Sequence, residues 1–294
     1  METSHVRGVP RENINKVFLH WCFTGETKNV KNLVKNVGEV RNDVVNVHDE
    51  DGNTALIIAS SQGHLEIVEF LIASGADLNQ TSTKNGGQPP GHTALIMSSR
   101  NGHLKVVKAL IAAGANVNAE NYSGATALII TAQLGHLEIV KVLIASGADV
   151  NQCDKILYCE PLFNACKNGH LEIVKLLVAK GCRVNYANYY RQTPLHAACQ
   201  GNQVNVAKFL IASGASVNVI DCNKCSALQV CGIAGHLEVA KVLIQADANI
   251  HLRTKDELVE PYRPNTIKTN ATAYDLALDK GHHNVVNFMM NLLK

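Results

Sequence analysis

The chain has 294 residues, 46% of them hydrophobic and 18% charged, with a formal net charge of only +2. That balance gives no bulk attraction to nucleic acid or to an anionic membrane. No stretch approaches the ~18 uninterrupted apolar residues of a membrane span, and the polar start, Met1 to Val9, lacks the apolar core of a secretion signal. Nine cysteines, an odd number, fit reduced thiols better than a disulfide framework, so an intracellular protein, cytoplasmic or nuclear, is expected.

After a polar segment over residues 1–10, Phe18-Leu19-His20-Trp21-Cys22-Phe23-Thr24-Gly25 reads as a degenerate first helical unit, with Trp21 packed into an amino-terminal cap. A phrase then begins to recur. Gly63-His64-Leu65-Glu66-Ile67-Val68 returns as Gly102-His103-Leu104-Lys105-Val106-Val107, opens again at Gly135, Gly169 and Gly235, and ends with Gly281-His282-His283-Asn284-Val285-Val286. A period of about 33 residues marks a stack of repeats in which each unit covers its neighbour's apolar face.

Every copy shares one frame. A turn leads into Thr-Ala-Leu or Thr-Pro-Leu at Thr54, Thr93, Thr126 and Thr193 and into Thr-Ala-Tyr at Thr272, with Glu160 and Ser226 in the same place in two copies. Threonine there caps a first helix by accepting a backbone N–H, and Pro194 suits the first helical turn. Small residues such as Ala197-Ala198-Cys199 let neighbouring helices approach closely. After Gly-His, Leu65, Ile67, Val68, Leu71 and Ile72 form the apolar stripe of a second helix. A glycine such as Gly75 or Gly147 follows, where the backbone must turn left-handed, while Asn202-Gln203 replaces Gly-His in one unit and Asp247 replaces the terminal glycine in another.

This frame resembles the ankyrin repeat, whose signature is Thr-Pro-Leu-His-x-Ala; the best copy is Thr193-Pro194-Leu195-His196-Ala197-Ala198. The resemblance implies an all-α fold, a solenoid of stacked helix-turn-helix units with β-turn or hairpin fingers. It would run over residues 11–294 as a single solenoid, with units starting near residues 11, 49, 88, 121, 154, 188, 221 and 267. Longer loops fall at 39–43, 81–90 and 253–269.

No catalytic constellation, phosphate loop or cofactor motif is present, and an enzyme is not expected. Cys222, Cys225, Cys231 and His236 have the residue types of a zinc site. The repeat frame instead scatters them over a turn and two helices, so they read as structural thiols and a fastening histidine, and no metal is expected. His64, His103, His136, His170, His236 and His282 all occupy one repeat position, about 10 Å apart in a helix stack. They cannot converge on a ligand, and a hydrogen bond tying one repeat to the next is expected of each.

The resemblance further implies a protein or peptide partner held on a concave face of turn tips and first helices, and no nucleic acid or membrane. The chain is expected to be monomeric and to act as a non-catalytic scaffold or adaptor. An inhibitor masking a target surface is the alternative, and a zinc- or thiol-dependent sensor using Cys153, Cys159, Cys222 and Cys225 a more distant one. Contact positions precede each threonine and each Gly-His, among them Asp51, His92, Gln192 and Asn223. Tyr122, Tyr158, Tyr186, Tyr189 and Tyr190, five of the seven tyrosines, gather in the turns of three consecutive units. Ile156 and Leu157 stand beside them, and Arg191 and Lys224 add charge at later tips. These residues either bind a partner or pack along the turns to stabilise the stack.

Overall fold

The computed structural model describes residues 11–36, 41–83, 90–255 and 269–292. Most of the loops at 81–90 and 253–269 therefore lies outside the described residues, as does the polar segment at 1–10. The described residues form 17 helices and no strand. Helices α1 (Arg11–Thr24), α2 (Thr27–Asn36) and α3 (Arg41–Val45) come first. Helix pairs follow: α4 (Ala55–Gln62) with α5 (Leu65–Ala73), α6 (Ala94–Arg100) with α7 (Leu104–Ala112), and α8 (Ala127–Leu134) with α9 (Leu137–Ala145). The later pairs are α10 (Pro161–Asn168) with α11 (Leu171–Ala179), α12 (Pro194–Gln200) with α13 (Val204–Ala212), and α14 (Ala227–Ala234) with α15 (Leu237–Gln245). Helices α16 (Ala273–Asp279) and α17 (His283–Leu292) end the series.

The capping logic holds at atomic level. Thr54 Oγ1 accepts from the Ile57 N–H at 3.2 Å, Thr93 from Ile96 at 3.2 Å and Thr126 from Ile129 at 3.3 Å. Asn202 and Asp247 do adopt left-handed φ values, 57° and 60°. Isolated antiparallel bridges, His48 to Thr54, Glu120 to Thr126 and Ile220 to Ser226, close the bases of three fingers.

The chain divides into two compact units. One comprises Met1–Thr131 and His136–Asp149, the other Ala132–Gly135 and Val150–Lys294. In the first, α4 packs between α1 and α6, and α5 packs on α7, around the fully buried Leu56, Leu71, Leu95 and Leu110. In the second, α10, α12, α14 and α16 pack in succession, as do α11, α13, α15 and α17. Their core holds Leu162, Ile173, Leu177, Leu195, Leu210, Leu228 and Leu243, each worth about 1.5–3 kcal/mol on full burial. The small residues are a spacing requirement: a Cβ added to Gly232 of α14 would lie 2.5 Å from the Ala273 carbonyl oxygen of α16.

The repeated histidine fastens units together. His64 Nε2 meets the Phe23 carbonyl at 2.9 Å, His103 Nε2 that of Ser61 at 2.9 Å, and His136 Nε2 that of Arg100 at 3.0 Å. In the second unit His170 Nε2 meets the Gln133 carbonyl at 3.0 Å, His236 Nδ1 that of Cys199 at 2.8 Å, and His282 Nε2 that of Ile233 at 3.0 Å. A carbonyl only accepts, so each ring nitrogen involved carries the proton. Where Asn-Gln replaces Gly-His, the Gln203 amide donates to the Lys167 carbonyl in the same way, at 3.4 Å.

Candidate functional site

The fingers of the second unit are built by Asx side chains that fold the turn around themselves. Asn188 Oδ1 accepts from the N–H groups of Tyr190 and Gln192 at 3.0 and 2.9 Å, and Asp221 Oδ1 from those of Asn223 and Cys225 at 2.8 and 2.9 Å. Asp154 does the same over a finger one residue longer, accepting from Ile156, Leu157 and Cys159 at 2.9, 2.7 and 3.1 Å. Successive fingers are joined backbone to backbone. Tyr189 N–H donates to Leu157 O at 2.8 Å, Cys222 N–H to Tyr190 O at 2.9 Å and Lys255 N–H to Asn223 O at 3.1 Å.

The tip of each finger is left-handed. In the first unit that position is glycine: Gly52, Gly91 and Gly124, at φ 78°, 95° and 76°. In the second unit it is Tyr158, Arg191, Lys224 and Asn270, at φ 55°, 60°, 57° and 46°. A side chain with a Cβ costs about 1–2 kcal/mol in this region, so three consecutive tips carry bulky groups where glycine would be more stable.

Three tyrosines come together here. The Tyr158 and Tyr189 rings stack with centroids 6.3 Å apart, and Tyr190 meets Tyr189 edge to face at 5.3 Å. Tyr158 is 47% exposed, Tyr189 64% and Ile156 63%, so the cluster is not a buried core. Beside it Leu157, Phe163, Lys167, Tyr190 and Gln200 line a cleft of about 270 Å³.

Tyr186 does not join them. Its ring lies under the Arg183 guanidinium at 4.1 Å, and Arg183 is ion-paired with Glu160, which is 1% exposed. Tyr122, 63% exposed, belongs to the first unit, where its N–H donates to Pro90 O at 3.0 Å. The contact positions implied by the family frame need correction at His92, Gln192 and Asn223, which are buried. A second cleft, of about 420 Å³, lies in the first unit among Leu19, Phe23, Ile57, Ile58, Ser61 and Met97. It joins the degenerate first repeat to the second, and the weakness of the motif there hid it from sequence reasoning.

The cysteines at turns are not equivalent. Cys159 and Cys225 are buried rather than available at the turn surface; burial pushes the Cys159 thiol up to about 11 and raises that of Cys225. Cys153 and Cys222 are half-buried. Among the described residues no group of three or more His, Cys, Asp or Glu side chains is placed to hold a metal, and no helix is long and apolar enough to cross a membrane.

His196 locks the finger of α12 to the next. Its Nδ1 accepts from the Thr193 N–H at 3.2 Å and its Nε2 donates to Cys225 O at 3.1 Å. Burial pulls its pKa below the usual 6.5. The unfolded chain therefore binds the proton more readily: stability is complete above pH 6.5 and declines as pH falls below it. His196→Gln should lessen that decline, because Gln229 fills the same slot in the following unit, its Oε1 accepting from Ser226 N–H at 2.8 Å and its Nε2 donating to Ala271 O at 2.9 Å. Urea unfolding across pH 5–8 measures this, one proton being worth about 1.4 kcal/mol per pH unit; an unchanged slope would exclude His196 as its source.

Comparison with family models decides the assignment. The model described as ankyrin repeats (3 copies) matches residues 9–82, 82–154 and 152–221, and the single ankyrin repeat matches 223–255. The chain belongs to the ankyrin-repeat family. None of the curated proteins compared matches it. Ankyrin repeats generally mediate protein–protein interaction and are typically non-catalytic, so the finger geometry of this ankyrin-repeat chain is read for binding rather than for chemistry.

Proposed function

We propose that the chain is an intracellular, non-catalytic interaction module that holds a protein or peptide partner on the fingers of its second unit. The observation that carries this reading is the trio of the exposed Tyr158 and Tyr189 and the half-buried Tyr190, with Tyr189 packed against both of the others, beside a cleft that Leu157 and Phe163 make partly apolar. Aromatic side chains with few torsions lose little entropy on binding and concentrate interface energy. Ile156 and Leu157 extend the apolar surface, while Tyr186 supports Arg183.

The test is a crosslinking pull-down from the source cell with wild type and with Tyr158→Ala/Tyr189→Ala/Tyr190→Ala, circular dichroism showing both equally folded. Truncating such anchors should weaken a partner by about 2 kcal/mol or more, roughly thirty-fold in Kd. A partner retained at wild-type affinity by the folded triple variant would move the site elsewhere.

A further inference from the structure

We propose that the partner segment is acidic: the finger row of the second unit takes an extended peptide carrying carboxylates next to an aromatic or aliphatic anchor. This rests on the reading of the tyrosine cluster as a partner site and names the chemistry that the site selects.

Two independent features point to it. The first is the sign of the surface. Across the fingers at 154–160, 188–193 and 221–226 and the helices α10, α12 and α14, the carboxylates are Asp154, Glu160 and Asp221. Each is committed internally: Asp154 and Asp221 to backbone N–H groups of their own turns, Glu160 to Arg183. The cations on the same elements, Lys155, Lys167, Arg191 and Lys224, are exposed. Glu160 and Asp221 are buried and Asp154 half-buried, so the four exposed cations outweigh the carboxylate charge that reaches solvent and this face is positive on balance, although the chain as a whole carries only +2. Such a field orients and accelerates an oppositely charged partner.

The second feature is the tips themselves. Tyr158, Arg191 and Lys224 recur at a spacing of 33 residues (191 − 158 and 224 − 191). All three hold a left-handed backbone that the first unit assigns to glycine. Side chains kept at an unfavourable backbone position mark a requirement other than folding. Backbone bonds from Tyr189 to Leu157 and from Cys222 to Tyr190 align the three tips as a row. One aromatic and two cations in a row match a strand-like segment with an apolar residue followed by acidic ones. A nucleic acid is the less suitable occupant. The face offers few cations for a polyphosphate, and Leu157 and Phe163 in the cleft suit an aliphatic or aromatic side chain.

The full chain would be used to select peptides from a random display library. The selected peptides would then be measured by fluorescence anisotropy against wild type, the triple tyrosine variant and Arg191→Gly/Lys224→Gly. Glycine suits both tip positions, so that last variant should unfold at an equal or higher temperature than wild type. The proposal expects selected peptides rich in Asp and Glu, lost by the tyrosine variant. It also expects them weakened about ten-fold by Arg191→Gly/Lys224→Gly and by Asp/Glu→Asn/Gln changes in the peptide, with both differences shrinking at high salt. Peptides that need the tyrosines but are neutral or basic, or that bind Arg191→Gly/Lys224→Gly as tightly as wild type, overturn the acidic assignment and leave the tyrosine site standing. Failure to select any tyrosine-dependent peptide overturns both. A single-stranded oligonucleotide that outcompetes the selected peptides overturns it in favour of nucleic acid.

Discussion

Arg183→Ala should destabilise the second unit by about 3 kcal/mol. Glu160 stands where the other first helices have Thr or Ser, and at 1% exposure its carboxylate has been taken out of water. Arg183, from the turn before the next finger, supplies the charge that makes this tolerable, with Nη2 also reaching Asn151 O at 3.4 Å and the guanidinium resting on Tyr186. Removing one partner of a buried pair costs about 3–5 kcal/mol because the other charge is stranded. Arg183 is itself about half exposed, which places the expectation at the lower end. The loss should shrink in acid, where a stranded Glu160 can take up a proton. The double variant Glu160→Thr/Arg183→Ala should recover most of it, since threonine restores the cap seen at Thr54 and Thr93. Urea unfolding of the single and double variants measures the coupling. A double variant no more stable than Arg183→Ala would mean that Arg183 acts through Tyr186 and Asn151 rather than through Glu160.

Gly201→Ala should cost up to about 3 kcal/mol, against the usual sign for such a change. Gly201 has an ordinary φ of −85°, and at such a site alanine commonly gains about 0.4–1 kcal/mol by restricting the unfolded chain. Here the new Cβ would lie 1.9 Å from the Lys167 carbonyl oxygen at the end of α10. That atom is backbone and also accepts the Gln203 amide, so it cannot swing aside as a flexible side chain would. Overpacking of this kind costs about 1–3 kcal/mol and outweighs the entropic gain. Thermal and urea unfolding would decide; an alanine variant as stable as wild type would show that α12 can move away from α10 without loss. Arg191→Gly and Lys224→Gly should move stability the opposite way, because the left-handed backbone at both positions favours glycine.

The architecture was legible because a repeat states its register many times over. Thr54, Thr93 and Thr126 cap helices, His64 through His282 fasten neighbours, and Asn202 and Asp247 accept a left-handed backbone, all as their sequence positions imply. These are local or nearest-neighbour properties, and in a stack the nearest neighbour is one period away. The candidate site was legible only as a set of turn tyrosines. Tyr186 sits in the same turns by sequence yet faces Arg183, and Cys159 and Cys225 fall in turns yet are buried.

The chain's sequence by itself determined the helix pairs, the caps, the fastening histidines and the family to which the protein belongs. Tertiary structure alone decided which side chains meet on the fingers. Asp154 folds a turn one residue longer than its counterparts, which sets the aim of Ile156 and Tyr158, and backbone bonds between fingers bring Tyr189 against Tyr158. A turn's sequence specifies how the backbone reverses. Where its exposed side chains point, and which of them touch, depends on how the neighbouring finger packs against it.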